Sequence, residues 1–158
     1  MTAEIVAAVV WGVVVAGAGA FLTELTPWYR ALRKPPWQPP DWLFGPAWTV
    51  ILALASYSAY LAWQGAPDWR GRLLVAVLFV VNGLANLAWS PLFFRLRRPD
   101  WALWEVPLLW LSILAPIVLL APYSMTASLL LLPYLAWVSF AAFLNLTIVR
   151  LNSPFGGR

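Results

Sequence analysis

The side chains with most chemical potential in this sequence are amides and indoles set among apolar residues. Asn82, Asn86, Trp89 and Phe93 are spaced by four, three and four, so on a helix they share one face. Two Asn inside an apolar run are costly unless they find partners. Interhelical hydrogen bonds that hold a bundle together would supply them. A cavity wall of amide donors and flat aromatic faces would use them equally well. Trp137, Ala141 and Asn145 recur at every fourth residue, and Trp48 and Thr49 lie in another apolar run. Trp48, Trp89 and Trp137, if turned inward, form an aromatic box, the alternative being close packing in a bundle core.

What is missing narrows the chemistry. There is no His and no Cys, which excludes disulfides, thiolate nucleophiles and zinc sites of the usual Cys/His type, so no metal site is expected. The usual His and Cys axial ligands of haem iron are missing too. No Asp, Glu, Lys or Arg falls near the middle of an apolar run, where proton-coupled transporters usually need one. Glu105 falls near the start of its run, close to the interface. Ordinary acid–base catalysis needs a titratable group of suitable pKa beside the reacting atom, and indoles, amides and a phenol do not supply one.

These residues are positioned by long apolar segments. Hydrophobic residues make up 63% of the chain and charged ones 10%, too little charge to cover a water-facing surface. About 20 apolar residues span a bilayer as a helix, and five segments qualify: 4–23, 42–64, 69–94, 101–121 and 126–150. They lack the alternation of a membrane β-barrel. The expected fold is therefore an all-α membrane protein, a single domain over 1–158 with five transmembrane helices. Ala16-Gly17-Ala18-Gly19-Ala20 resembles a signal-peptide cleavage site, but Met1-Thr2-Ala3-Glu4 lacks the positive region such peptides carry, so the first helix is expected to be retained. Gly12, Ala16 and Ala20 form a small-residue stripe suited to close helix contact.

Pro-Asp-Trp occurs three times, at Pro40-Asp41-Trp42, Pro67-Asp68-Trp69 and Pro99-Asp100-Trp101. Each precedes an apolar run, so each Asp is expected to cap a helix with its Trp at headgroup depth. Thr126 is expected to cap the fifth helix, and Asn152-Ser153-Pro154 to end it. Arg30, Arg33, Lys34, Arg95, Arg97, Arg98, Arg150 and Arg158 fall on one side of the five-span topology, against Arg70 and Arg72 on the other. The positive-inside rule then puts the N-terminus outside and the C-terminus in the cytoplasm. Basic residues confined to short gaps suit anionic lipid rather than nucleic acid.

The first loop, 24–41, is long for a helix connection. Thr26-Pro27 starts a short helix, expected to reach about Lys34, and the Pro-rich stretch after it must be extended. One reading is an interfacial anchor; another is a lid over a pocket between the helices.

Taken together, the chain resembles the translocator protein family, also called tryptophan-rich sensory proteins. The matching residues are Trp28-Tyr29, Lys34-Pro35, Trp37, Pro39-Pro40, Trp42, Phe44, Pro46 and Trp48-Thr49, then Asn82, Asn86, Trp89, Pro91 and Phe93-Phe94, then Pro133-Tyr134, Trp137 and Asn145. The resemblance implies a five-helix bundle with a ligand pocket under the first loop, formed by Trp28, Tyr29, Trp48, Asn82, Asn86, Trp89, Trp137 and Ala141. Trp37 and Phe93 are added on their position. Implied ligands are porphyrins and haem, bound without a required cofactor, in a membrane homodimer that senses or translocates them. Arg30, Arg33 and Lys34 would meet porphyrin carboxylates. A light-dependent breakdown of porphyrin is also implied, with Trp48 and Trp137 as oxidisable partners. A sterol or lipid transporter is the other alternative that the resemblance implies, although the animal sterol motif has a Tyr where Leu146 stands.

Overall fold

A computed structural model describes residues 2–156; Arg158, counted above for topology, lies outside them. Among the described residues all regular structure is helical. The elements are α1 (Ala3–Leu22), α2 (Pro27–Ala31), α3 (Asp41–Gly65), α4 (Trp69–Ser90), a π turn (Pro91–Arg95), α5 (Pro99–Leu119), α6 (Met125–Leu130) and α7 (Leu132–Asn152). They make five segments long and apolar enough to cross a membrane: α1, α3, α4 with its π turn, α5, and α6 joined to α7.

Local sequence explains the breaks. Pro91 has no N–H to continue the α-helical ladder, and the helix widens there, the Leu96 N–H donating to the Pro91 carbonyl five residues back (2.9 Å). Pro133 cannot bond the Leu129 carbonyl. That oxygen accepts from Leu131 instead, so the fifth span is two helices meeting at Leu131 rather than one. The cap over its start is Ser124, whose hydroxyl accepts from Ala127 N–H at 3.2 Å, and not Thr126.

Of the three Pro-Asp-Trp tripeptides, only Asp68 caps, accepting from the Gly71 N–H at 2.8 Å. Asp41 and Asp100 each lie inside the first turn, one and two residues past the capping position. Asp100 pairs with Arg98, and Asp41 turns towards the first loop. Trp42, Trp69 and Trp101 are all exposed, as anchors at a membrane interface should be.

α1 leans on α3 and α4, α4 on α5, α5 on α7, and α6 on α3. A core of Ile51, Val75, Phe79, Leu109, Ile113, Tyr134 and Val138 fills the bundle. A second cluster, Tyr29, Phe93, Phe94, Leu144 and Ile148, sits at the end closed by the first loop. Several polar side chains inside the bundle have partners, while Glu105, the Ser128 hydroxyl and the Trp137 indole N–H have none among the described residues. Ser58 donates to the Ala127 carbonyl (2.7 Å) and Asn82 to Ser112 (3.0 Å). Asn145, with its amide turned to suit both neighbours, donates to the Pro99 carbonyl and accepts from the Leu103 N–H. In a bilayer such bonds tie helices where no hydrophobic force can.

The small-residue stripe of α1 divides in use. Gly12 packs against Ser56 of α3, where a Cβ would overlap the hydroxyl. Ala16 and Ala20 instead face a cavity.

Candidate functional site

The cavity has a volume of about 440 Å³ and lies between α1, α3, α4, α5 and α7 at the end of the bundle that carries the first loop. Its roof holds Leu25 and Tyr29 of that loop. Trp48 and Phe44 of α3, Trp89 and Asn86 of α4, and Ala141 and Val138 of α7 form the walls. The Asn86 amide donates to the Tyr134 hydroxyl (2.9 Å), which fixes it at the wall. Trp48 stands edge-on to Tyr134, with ring centroids 5.8 Å apart. Trp89 stacks on Phe93 at 4.9 Å, so the wall ring is backed by a second ring and has little freedom to turn.

The first loop is tied down at three points. Thr26 caps α2, accepting from the Tyr29 N–H. α2 stops at Ala31 and Leu32 turns extended, short of Lys34. The residue before a proline is pushed out of the helical region, and Lys34 precedes Pro35, so the helix ends before that restriction. Tyr29, buried under the loop, donates its hydroxyl to Asp41 (2.9 Å), and Gln38 bonds both groups. Burial, then the Asp41 hydrogen bond, holds the Tyr29 hydroxyl well above the usual tyrosine range, so it stays a neutral donor at physiological pH. Lys34 Nζ lies 3.5 Å from the centre of the same ring. Trp37 stacks on Phe143 of α7 at 5.2 Å. Asn152, at the end of α7, accepts from the Arg33 N–H and donates to the Arg33 carbonyl, both at 2.8 Å.

The expected site residues therefore separate. Tyr29, Trp48, Asn86, Trp89 and Ala141 line one cavity. Trp28 and Phe93 pack in the aromatic cluster behind it. Asn82 is buried deeper, engaged with Ser112. Trp37 clips the loop from outside. Trp137 does not close an aromatic box with Trp48 and Trp89: its ring sits edge-on to Phe44 at 5.6 Å and against Phe140, one layer back from the lining. Of the two candidate oxidisable partners, only Trp48 lines the cavity. Arg30, Arg33 and Lys34 stand at the loop end of the bundle but outside the lining, and Lys34 is engaged by the Tyr29 ring. Glu105 is turned inward, both carboxylate oxygens enclosed and without a protein partner.

Sequence reading missed the α1 wall of Ala16, Gly19, Ala20 and Thr23. Their spacing of three, one and three was the signal, a small-residue stripe wider than the one noted. It also missed Asn152, for which a helix-ending role hid the contact. Arg33 and Asn152 are 119 residues apart, and nothing local points from one to the other. Replacing Asn152 by Leu should free the loop from α7. Hydrogen exchange over residues 32–40 should rise about tenfold or more, as local opening grows easier, with the spanning helices unchanged. Unchanged exchange in the loop would mean that Trp37 and the Tyr29–Asp41 bond hold it without Asn152.

The five apolar helices define a multi-pass integral membrane protein, with a cavity of about 440 Å³ beneath its first loop. The chain belongs to the TspO/MBR family, whose model matches residues 5–151. It is 42% identical to Tryptophan-rich protein TspO of Chlorobaculum tepidum over 79% of each chain, and 39% identical to the protein of that name in Archaeoglobus fulgidus over 95% of this chain and 97% of the other. It is 38% identical to human Translocator protein, over 83% of this chain and 79% of the human one.

Proposed function

We propose that the protein binds a flat, apolar tetrapyrrole in the cavity under its first loop, and that it senses or translocates that ligand. The observation that carries this reading is the chamber itself. Its volume falls within the range of small-molecule pockets, which are mostly apolar with a few placed polar groups. Here the rings of Tyr29, Trp48 and Trp89 and the amide of Asn86 supply both. Arg30 and Arg33, exposed at the loop end of the bundle, would receive the ligand's carboxylates where these reach beyond the lining. The relatives' names, Translocator protein and Tryptophan-rich protein, support a role in moving a ligand and the use of Trp. The loop is the lid of this site, and its basic side faces the cytoplasm by the positive-inside rule. A homodimer in the membrane is the expected assembly.

With no His or Cys in the chain, binding should depend on the macrocycle and not on iron. Metal-free protoporphyrin IX and haem, titrated into purified protein and followed by Trp fluorescence, should each saturate, with affinities within about tenfold of one another. Failure of both to saturate would refute the reading. Saturation by haem alone would move the site to an iron ligand outside this cavity.

A further inference from the structure

The cavity is not sealed on its α1–α3 side. Of its lining residues there, Ala20 on α1, Thr23 just past its end, and Gly45 and Thr49 on α3 are solvent-exposed. The seam is thin because it is built from small residues. A Cβ added at Gly19 or at Gly45 would meet nothing within 4 Å. Above this gap the two helices touch at Gly12 and Ser56. Below it, α1 is held by Arg95, which pairs with Glu24 at 3.2 Å and lies over the Phe21 ring. The gap is therefore a window between two fixed points.

A second cavity of about 310 Å³ runs along the same seam on its outer side, lined by Gly12, Val13, Ala53, Ser56 and Tyr57 among others. It shares Ala16, Thr49 and Leu52 with the chamber, so the two adjoin across those three residues. Val13 and Tyr57 are exposed within spanning helices, which turns this groove towards lipid. At the other end of the chamber the loop is latched by Asn152, Trp37 and Asp41.

From this we infer that the α1–α3 seam is a lateral portal, through which a flat apolar molecule dissolved in the bilayer slides along the groove into the chamber. The inference rests on the binding reading above and adds the route. A ligand that partitions into the membrane reaches the window without crossing water, and the tied loop need not move. A portal sets the rate of exchange and leaves the equilibrium alone, because the filled and empty chambers are the same by any path.

The test uses full-length protein in phosphatidylcholine liposomes, with protoporphyrin IX binding followed by stopped-flow Trp quenching. Ala53→Trp places an indole in the groove outside the chamber. Side chains on a helix lean towards its N-terminus, so the ring covers Thr49 and the window. Association and dissociation should both slow about tenfold, with Kd within about twofold of wild type. Val13→Trp, on the opposite bank at an exposed position, leans towards Val9 and narrows the outer end of the groove; it should slow both rates in the same direction by a smaller factor, and it guards against a folding defect in the first variant. Gly17→Leu, exposed and outside both linings, should change nothing. Wild-type rates in both Trp variants would overturn the portal and leave the binding reading standing, as would faster association in Asn152→Leu, which marks the loop as the route. A tighter Kd in Ala53→Trp would mark the groove as the seat of a competing lipid chain and also overturn it. Absence of saturable binding by the wild type would sink the reading and the portal together.

Discussion

Replacing Ala141 by Phe should weaken protoporphyrin binding about a hundredfold, equivalent to roughly 2.7 kcal/mol, while the protein folds normally. Ala141 lines the chamber on α7 beside Val138, opposite the Trp48 wall of α3. A phenyl ring there occupies ligand space without displacing a protein group, because the room already exists. Thermal stability should hold or rise, since filling a void restores lost contacts. Trp137→Phe is the instructive contrast. Its indole packs on Phe44 and Phe140 behind the lining, so affinity should fall only a few-fold, roughly 1 kcal/mol or less. Titration of both variants, with melting curves for each, decides the matter. Equal losses, or undiminished affinity in Ala141→Phe, would place the ligand elsewhere.

The largest loss of stability is expected from one methyl group at Gly65. This residue ends α3, where a Cβ would overlap the backbone carbonyl of Tyr123 in the α5–α6 connection. A flexible side chain could turn aside, but a carbonyl held in a turn cannot. The Tyr123 and Ser124 N–H groups both donate to Leu120, which fixes that turn. Overpacking in a close-packed region costs about 1–3 kcal/mol, and a backbone clash belongs at the upper end. For a chain of this size that is roughly 5–10 °C in Tm. Gly65→Ala should show this fall in detergent or in lipid, whereas Gly17→Ala, whose Cβ meets nothing within 4 Å, should not. Similar melting of the two variants would refute the close approach of α3 to the turn.

The five spans were legible because their physics is one-dimensional. Each is a long apolar run, and the bilayer imposes its length. The amide and indole stripe on α4 was legible in part for the same reason, since helical spacing fixes a shared face. Spacing cannot fix what that face meets. Asn82 and Asn86 lie one turn apart, yet one bonds Ser112 in the core and the other lines the chamber. The depth of a residue along a tilted helix decides this, and it depends on neighbours distant in sequence. Trp137 shows the same limit: its helix face points inward, but Phe44 stands between it and the space. Caps fail for a smaller reason. Asp41, Asp68 and Asp100 share one tripeptide, and a shift of one or two residues in where the helix begins turns a cap into a side chain free for other work. At Asp41 that work is holding the first loop through Tyr29.

The latch between Asn152 and the first loop bears on how this family can vary. Asn152 addresses the peptide group of Arg33 from both sides and makes no demand on its side chain. The grip is therefore blind to what residue stands at 33. A descendant could exchange Arg33 for an acid, an amide or an apolar group and keep the loop fastened. The charge at position 33 is thus free to drift or to be selected, separately from the fastening of the loop. Retuning for a ligand of different polarity would need one codon and no compensating change.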